Sequence, residues 1–416
     1  MTAYTPRSID AQLDFLVANV PAFAIEGAKG VGKTASAQQH AKAALYLDDP
    51  TDQLVAGADP TFSTINARPL LLDEWQYTPQ VWNTVRRAVD AGAPPGSFIL
   101  TGSASPQPES ETHSGAGRIL GTVMRPMTIA EKHPQEPKIK LSELFDGQPS
   151  PQPRRINFTI VDYCQAAEQS GFPAIWQLPD IVRTEFLDDY LRRIIDRDVP
   201  QLGVAVRAPE TMRRWLAAYA AASSTTAAYS SILDATTAGD GSQPAKTTTM
   251  TFRDLLSKIF ILDPVPAWNS VRNPLKRVAQ APKHQLVDPA LSLRLLGYSG
   301  RDLLTGRASH FLGQVIESLA TLSVRVAAQT IFARTFHFRI QGGNHEVDLV
   351  VESNDGRLGA FEVKAAAAIK DGDLQHLRWF SDKFADDLAF SAVLYTGPVC
   401  YQRPDGIWLI PIAMLA

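Results

Sequence analysis

Short apolar runs and amphipathic stretches take turns along the first 130 or so residues of the chain. PAFAIEG, RPLLLDE and SFILTGS are compact apolar segments of strand length. ASAQQHAKAALYL and PQVWNTVRRAVDAG between them carry apolar residues at helical spacing. Strands that alternate with helices predict a parallel sheet covered on both faces. Two polar, Pro- and Ser-rich stretches follow, 103–117 and 133–155, and both read as mobile loops. Residues 156–220 return to helical spacing, most clearly in IVRTEFLDDYLRRIIDRDV and PETMRRWLAAYAAA. A Ser/Thr/Ala/Gly tract at 222–249 precedes TFRDLLSKIFIL, a short helix, so 221–300 is a place for a small helical DNA-binding module with an insertion. From about 305 the pattern becomes helix (SHFLGQVIESLATLSVRV), strands (TFHFRI, EVDLVVE, AFEVK), helix (DLQHLRWFSDKF) and strands (SAVLYTG, GIWLIPI), a second α/β domain. No internal repeat is evident.

Acids break the alternation in one place. In HEVDLVVESNDGRLGAFEVK, a three-residue loop Asn354-Asp355-Gly356 would close a hairpin with glycine in the left-handed position. That register sets Val350 opposite Ala360, Asp348 opposite Glu362 and Glu346 opposite Lys364. It gathers Val347, Leu349 and Val351 with Gly359, Phe361 and Val363 on the other face. A two-residue turn would mix the polar and buried faces. Two carboxylates about 5 Å apart repel each other unless a cation lies between them. Mg²⁺ or Mn²⁺ with oxygen ligands would serve, and Lys364 could orient a water or stabilise a pentacoordinate phosphate. Glu317 on the preceding helix could add a ligand, and Gln375 on the following helix could position substrate. The competing reading is a half-exposed sheet carrying a Glu346–Lys364 surface pair, which is worth under about 1 kcal/mol.

The front of the chain carries a more specific signal. GAKGVGKT places Gly27, Gly30, Gly32, Lys33 and Thr34 between a strand and a helix. In that context the backbone N–H groups cradle phosphates, Lys33 reaches the β/γ-phosphates and Thr34 ligates Mg²⁺. LLLDEWQ ends a buried strand on Asp73, suited to the Mg²⁺ shell, and on Glu74, suited to polarising a water. Thr101 and Ser103, at the end of SFILTGS, could sense the γ-phosphate. Arg118, Arg193 and Arg197 are candidates for an arginine supplied by a neighbouring subunit.

Composition narrows the partners. The 416 residues carry a formal charge of −3, so nucleic acid would have to meet local basic patches. Arg213 and Arg214 beside Trp215, and the group Arg272, Lys276, Arg277 and Lys283, are such patches. TFRDLLSKIF reads equally as a recognition helix or as a core helix with Phe252, Leu255, Leu256 and Ile259 inward. The two cysteines have no metal-ligand spacing and fit a reducing cytoplasm. The N-terminus has no signal-peptide pattern, and no run approaches the roughly 18 apolar residues of a membrane helix.

In these motifs the chain resembles the bacterial and archaeal AAA-type ATPases that carry a C-terminal PD-(D/E)xK-nuclease-like domain. The resemblance rests on YTPRSIDAQLDFL, EGAKGVGKT, LLLDEWQ, FILTGS, RPMTIAEK, SGFPA, RRIIDRDVPQL, APKHQLVDPAL, GQVIES, EVDLVVE and FEVK, in that order. It implies a P-loop parallel-sheet ATPase domain (1–135), a loop and helical lid (136–205), a winged-helix segment with a low-complexity insertion (206–300) and a restriction-endonuclease-like α/β domain (301–416). It implies ATP and Mg²⁺ at Lys33, Thr34 and Asp73, and it maps the nuclease pattern onto Glu317, Asp348, Glu362 and Lys364. Val347 stands where that pattern names proline, and Ala174 replaces the acid often found after GFP.

Two functions follow as expectations. One is a homo-oligomeric, cytoplasmic ATPase acting on nucleic acid, DNA in preference to RNA, with a C-terminal site open to Mn²⁺. The other is a nucleotide-dependent switch whose C-terminal domain binds a protein and cuts nothing. A small-molecule kinase is disfavoured by the second α/β domain.

Overall fold

The computed structural model describes residues 4–102, 115–147, 152–202, 209–236, 245–268, 280–340 and 345–416; Ser103, Arg272, Lys276 and Arg277 lie outside them. The chain divides into two compact units, Met1–Arg125 with Leu255–Ile261, and Pro126–Asp254 with Leu262–Ala416.

The first unit holds the expected parallel sheet. Its strands are β1 (Ala22–Glu26), β2 (Ala43–Tyr46), β3 (Leu70–Asp73), β4 (Phe98–Thr101) and β5 (Leu120–Val123), in the order β2-β3-β4-β1-β5. Alternate residues of β1, β3 and β4 pack with Val81, Trp82 and Val85 of the Gln80–Asp90 helix. The intervening Phe23, Ile25, Leu71 and Ile99 are also buried, so both faces are covered, as near-continuous apolar strands require. Two features differ from expectation. The helix beginning at the phosphate loop ends at His40, and the Ala-rich stretch after it is the edge strand β2, paired from Ala43–Leu70 to Tyr46–Asp73. Pairing with β3 and burial override the strong intrinsic helical preference of alanine. Strand β5, beside β1, was not anticipated.

The second unit is built on a seven-stranded mixed sheet ordered β6-β11-β12-β10-β9-β8-β7. The strands are β6 (Arg154–Arg155), β7 (Arg334–Arg339), β8 (Glu346–Glu352), β9 (Leu358–Lys364), β10 (Leu388–Tyr395), β11 (Val399–Gln402) and β12 (Trp408–Pro411). The Leu312–Thr330 helix packs through Val315, Ile316 and Leu319 in one cluster with Leu349, Val351 and Phe361. Leu377 and Phe380 of the Gln375–Lys383 helix pack in another with Val350, Ala360 and Val393. The Ser309–Thr330 segment does reach the length and mean hydropathy of a membrane span, contrary to the sequence reading. Yet 72% of its most apolar window is buried, as in a core helix.

Residues 133–147 are more ordered than their composition suggests. Leu141–Phe145 is a helix with Leu141, Leu144 and Phe145 buried, and Ile139 and Leu141 pair with Met414 and Ala416 through backbone hydrogen bonds of 2.8–3.0 Å. The long helix over 180–198 also changes character. It is α-helical over Asp180–Arg193 and becomes a π-turn over Ile194–Asp198. Pro200 follows closely and has no N–H to donate to an i−4 carbonyl, which favours a local change of register there.

Candidate active sites

At the first site, three glycines bend the chain around the head of the Lys33–His40 helix. Gly27, Gly30 and Gly32 have φ of +147°, +81° and +99°. A Cβ on Gly27 would lie 2.3 Å from the Met124 carbonyl oxygen, so no side chain fits there. The Lys33 ammonium folds onto the Gly27 and Ala28 carbonyls at 2.9 and 3.0 Å. Burial pushes its pKa down to about 8, against the pull of Glu74 and Asp73.

The strand order places β4 between β1 and β3, so the ends of all three strands converge. Oδ1 of buried Asp73 accepts a hydrogen bond from the Thr34 hydroxyl at 2.8 Å and another from the Thr101 hydroxyl. Glu74 follows at φ +50°, a left-handed conformation that costs a non-glycine residue about 1–2 kcal/mol. Gln76 donates to its carboxylate. Hard oxygens on Thr34 and Asp73, with an ammonium beside a glycine cradle, suit a magnesium-bound triphosphate.

At the second site, the hairpin has the expected register. β8 and β9 pair from Glu352–Leu358 through Val350–Ala360 to Leu349–Phe361. Gly356 closes the loop at φ +88°. Beyond Leu349 the two strands part. β9 continues along β10 to the Lys364–Tyr395 pair, and β8 continues along β7 to the Glu346–Arg339 pair. A β-bulge on β8 between Val347 and Val350 accompanies the fork, and it sends Val347 to the cluster opposite Leu349 and Val351, not to theirs as the alternation predicted.

Asp348 occupies the fork, its Oδ2 accepting the Val363 backbone N–H at 2.9 Å. Its Oδ1 faces an unexpected partner, the Lys283 ammonium, at 3.1 Å. Lys283 also meets Glu317 at 2.7 Å and Glu346 at 3.4 Å, and its side chain is 1% exposed. Burial alone would lower its pKa, but Asp348, Glu317 and Glu346 together raise it. Burial and the charge of Asp348 push both Glu317 and Glu362 up to about 8. Glu362 accepts from Lys364 at 2.8 Å through Oε1, while its buried Oε2 has no partner.

Comparison with known proteins assigns the front of the chain. Residues 19–133 match the model of the AAA domain family. Within that range lie the parallel sheet and the phosphate loop of an AAA-type P-loop ATPase domain. Behind the AAA domain, residues 160–302 and 312–415 match two further family models, each described as a domain of unknown function (DUF8612 and DUF4143). Uncharacterized proteins of Mycobacterium bovis and Mycobacterium tuberculosis are each 27% identical over 417 aligned residues, covering 97% of this chain and 83% of theirs. A solved structure of the Walker-type ATPase PABY2304 of Pyrococcus abyssi aligns with 70% of this chain and 96% of its own, at 14% identity and a TM-score of 0.40.

Around the AAA domain's site, the structure brings together Gly27, Lys33, Thr34, Asp73 and Thr101 from the sequence reading. Around the rear site it joins Glu317, Asp348 and Glu362, but with Lys283 among them. A divalent ion does not fit between Glu317 and Asp348 while the ammonium bonds both. Among the described residues no group of three or more His, Cys, Asp or Glu is disposed to hold a metal. Glu346 does not meet Lys364 as the pairing predicted, because the strands have parted; it lies toward Lys283 and Arg339. The Gln375 amide meets His376, not these carboxylates.

The basic patches also change. Lys283 is buried in the acid site, paired with Glu317 and Asp348. Trp215 is fully buried against Tyr219 and Phe252, so it offers no stacking surface. Phe252, Leu255, Leu256 and Ile259 are all buried, which makes TFRDLLSKIF a core helix. Arg213 pairs with Asp196 and Glu210, Arg118 with Asp90, and Arg193 with Asp189. Arg192, Arg213, Arg214 and Arg294 still line one open groove of about 500 Å³ in the second unit.

Several quoted motifs prove to be structural. Buried Asp288 caps the Pro289–Leu296 helix at Ala290 and binds the Ser170 hydroxyl and the Gly171 N–H. Buried Lys132 donates to the Ala166 and Ser170 carbonyls. RPMTIAEK, SGFPA and VDPAL thus meet at one polar staple.

Proposed function

We propose that this chain hydrolyses ATP at its AAA domain and couples the turnover to engagement of nucleic acid, DNA first, as a homo-oligomer. The observation that supports ATP hydrolysis most is the convergence of the Thr34 and Thr101 hydroxyls on one oxygen of Asp73 beside the Lys33 loop. Bound ATP and Mg²⁺ would supply the electrophilic phosphorus and neutralise its charge. Lys33 would leave the loop carbonyls for the phosphate oxygens. Thr34 and Asp73 would hold the metal. Glu74 would orient the attacking water and accept its proton, and Thr101 would fix the orientation of Asp73. Arg118, Arg193 and Arg197 remain the candidates for a neighbour's arginine.

Nucleic-acid engagement is supported by the groove lined by Arg192, Arg213, Arg214 and Arg294, although Arg192, Arg213 and Arg294 already pair with Asp189, Asp196 and Asp188, and by the resemblance of EVDLVVE and FEVK to a nuclease pattern. A winged-helix reading of 206–300 is supported by the helices Pro209–Ala221, Tyr229–Thr236 and Lys246–Lys258, followed by antiparallel bridges at Leu262–Leu286 and Val265–Lys283. The position of Lys283 favours the second reading for the rear domain, in which it binds a partner and cuts nothing.

The test is ATP turnover with and without single- and double-stranded DNA across a salt series. Stimulation by DNA should fall on raising salt, with a log–log slope of about −0.9 per phosphate contacted on the duplex. Turnover indifferent to DNA and RNA, with nucleotide-dependent capture of a protein, would replace this reading with the switch. Lys33→Ala removes charged hydrogen bonds worth about 1.5–3 kcal/mol. ATP binding should therefore weaken roughly ten- to hundredfold, measured by titration with a fluorescent ATP analogue.

A further inference from the structure

The rear acid site has the donor set of a hard cation and already contains one. An ammonium has three N–H donors, and Lys283 turns them toward Glu317, Asp348 and Glu346 at 2.7, 3.1 and 3.4 Å. Glu317 and Asp348 each have only 15% of the side chain exposed, so water shares little of that work. Lys364 satisfies one oxygen of Glu362 and leaves the other, buried Oε2, without a donor. A divalent ion at 2.0–2.6 Å needs the same oxygens of Glu317 and Asp348 that the ammonium bonds, and the two cations would repel at that separation.

We propose that the β8/β9 fork is a cation socket whose resident cation is the Lys283 ammonium, and that removing Lys283 frees the oxygens of Glu317 and Asp348 that it bonds to take Mg²⁺ or Mn²⁺. This rests on the reading of the rear domain as one that does not cut. It adds the reason for the silence: the cation is covalently part of the chain.

The experiment uses the full chain without nucleotide, titrated with Mn²⁺, with the free ion followed by electron paramagnetic resonance. Four proteins are compared: wild type, Asp348→Asn, Lys283→Ala, and the double variant. Wild type and Asp348→Asn should bind Mn²⁺ alike. Lys283→Ala should gain one Mn²⁺ per chain at least about tenfold tighter than wild type, and the double variant should lose it. A wild-type Mn²⁺ site that Asp348→Asn abolishes overturns the proposal, as does a folded Lys283→Ala chain that takes up no more than wild type. Should Lys283→Ala be unfolded in metal-free buffer, refolding on Mn²⁺ addition that is absent from the double variant supports the proposal, and failure to refold counts against it. DNA-stimulated ATP turnover is a separate readout, so loss of the nucleic-acid reading leaves these Mn²⁺ counts unaffected.

Discussion

Glu74→Gln should bind ATP as the wild type does while turning it over about 10²- to 10⁴-fold more slowly, the usual contribution of a general base. The substitution is nearly isosteric. An amide oxygen can still accept from Gln76, so the left-handed backbone at residue 74 keeps its local support. What disappears is the capacity to take a proton from water. Single-turnover hydrolysis beside fluorescent-nucleotide binding separates the two effects. Turnover within tenfold of wild type would remove Glu74 from the mechanism and leave its position after Asp73 without a chemical role.

Lys283→Ala should destabilise the second unit by about 3–5 kcal/mol, the cost of removing one partner from a buried ion cluster. The loss comes from Glu317 and Asp348, left in a poorly hydrated fork without the ammonium that bonds both. A lost side chain also leaves a cavity, and Lys283→Met tells the two causes apart. Methionine keeps most of the volume, so a pure packing effect would nearly vanish, whereas a charge effect would persist. Denaturant unfolding of both variants, compared at equal m-value, gives the answer. If Lys283→Ala lies within about 1 kcal/mol of wild type, the cluster is solvated as a surface pair would be.

How much of this was legible in the sequence depends on how local the signal is. The phosphate loop was readable because its glycines, Lys33 and Thr34 fall within eight residues, 27–34, and backbone geometry demands them in that order. The hairpin register was readable because alternation and one loop length determine which residues oppose. The fork was not. It depends on β7 and β10 each holding its neighbour while β8 and β9 separate, and the alternation within β8 and β9 does not record where that outer pairing takes over. Lys283 was misread for a related reason. Its carboxylate partners lie 34 and 65 residues away along the chain, and an isolated lysine in a polar stretch is ordinarily at the surface. Strand β2 was hidden by alanines that suit a helix, and Trp215 by the arginines beside it.

The fork has one more consequence. Each of its arms is hydrogen-bonded on the outer side, β8 to β7 and β9 to β10, so the notch between them is held open from without. Side chains within it can be exchanged while the walls stay where they are. A change at Lys283 therefore alters the charge the notch holds, at a cost in stability, while the backbone pairing that shapes its walls stays in place.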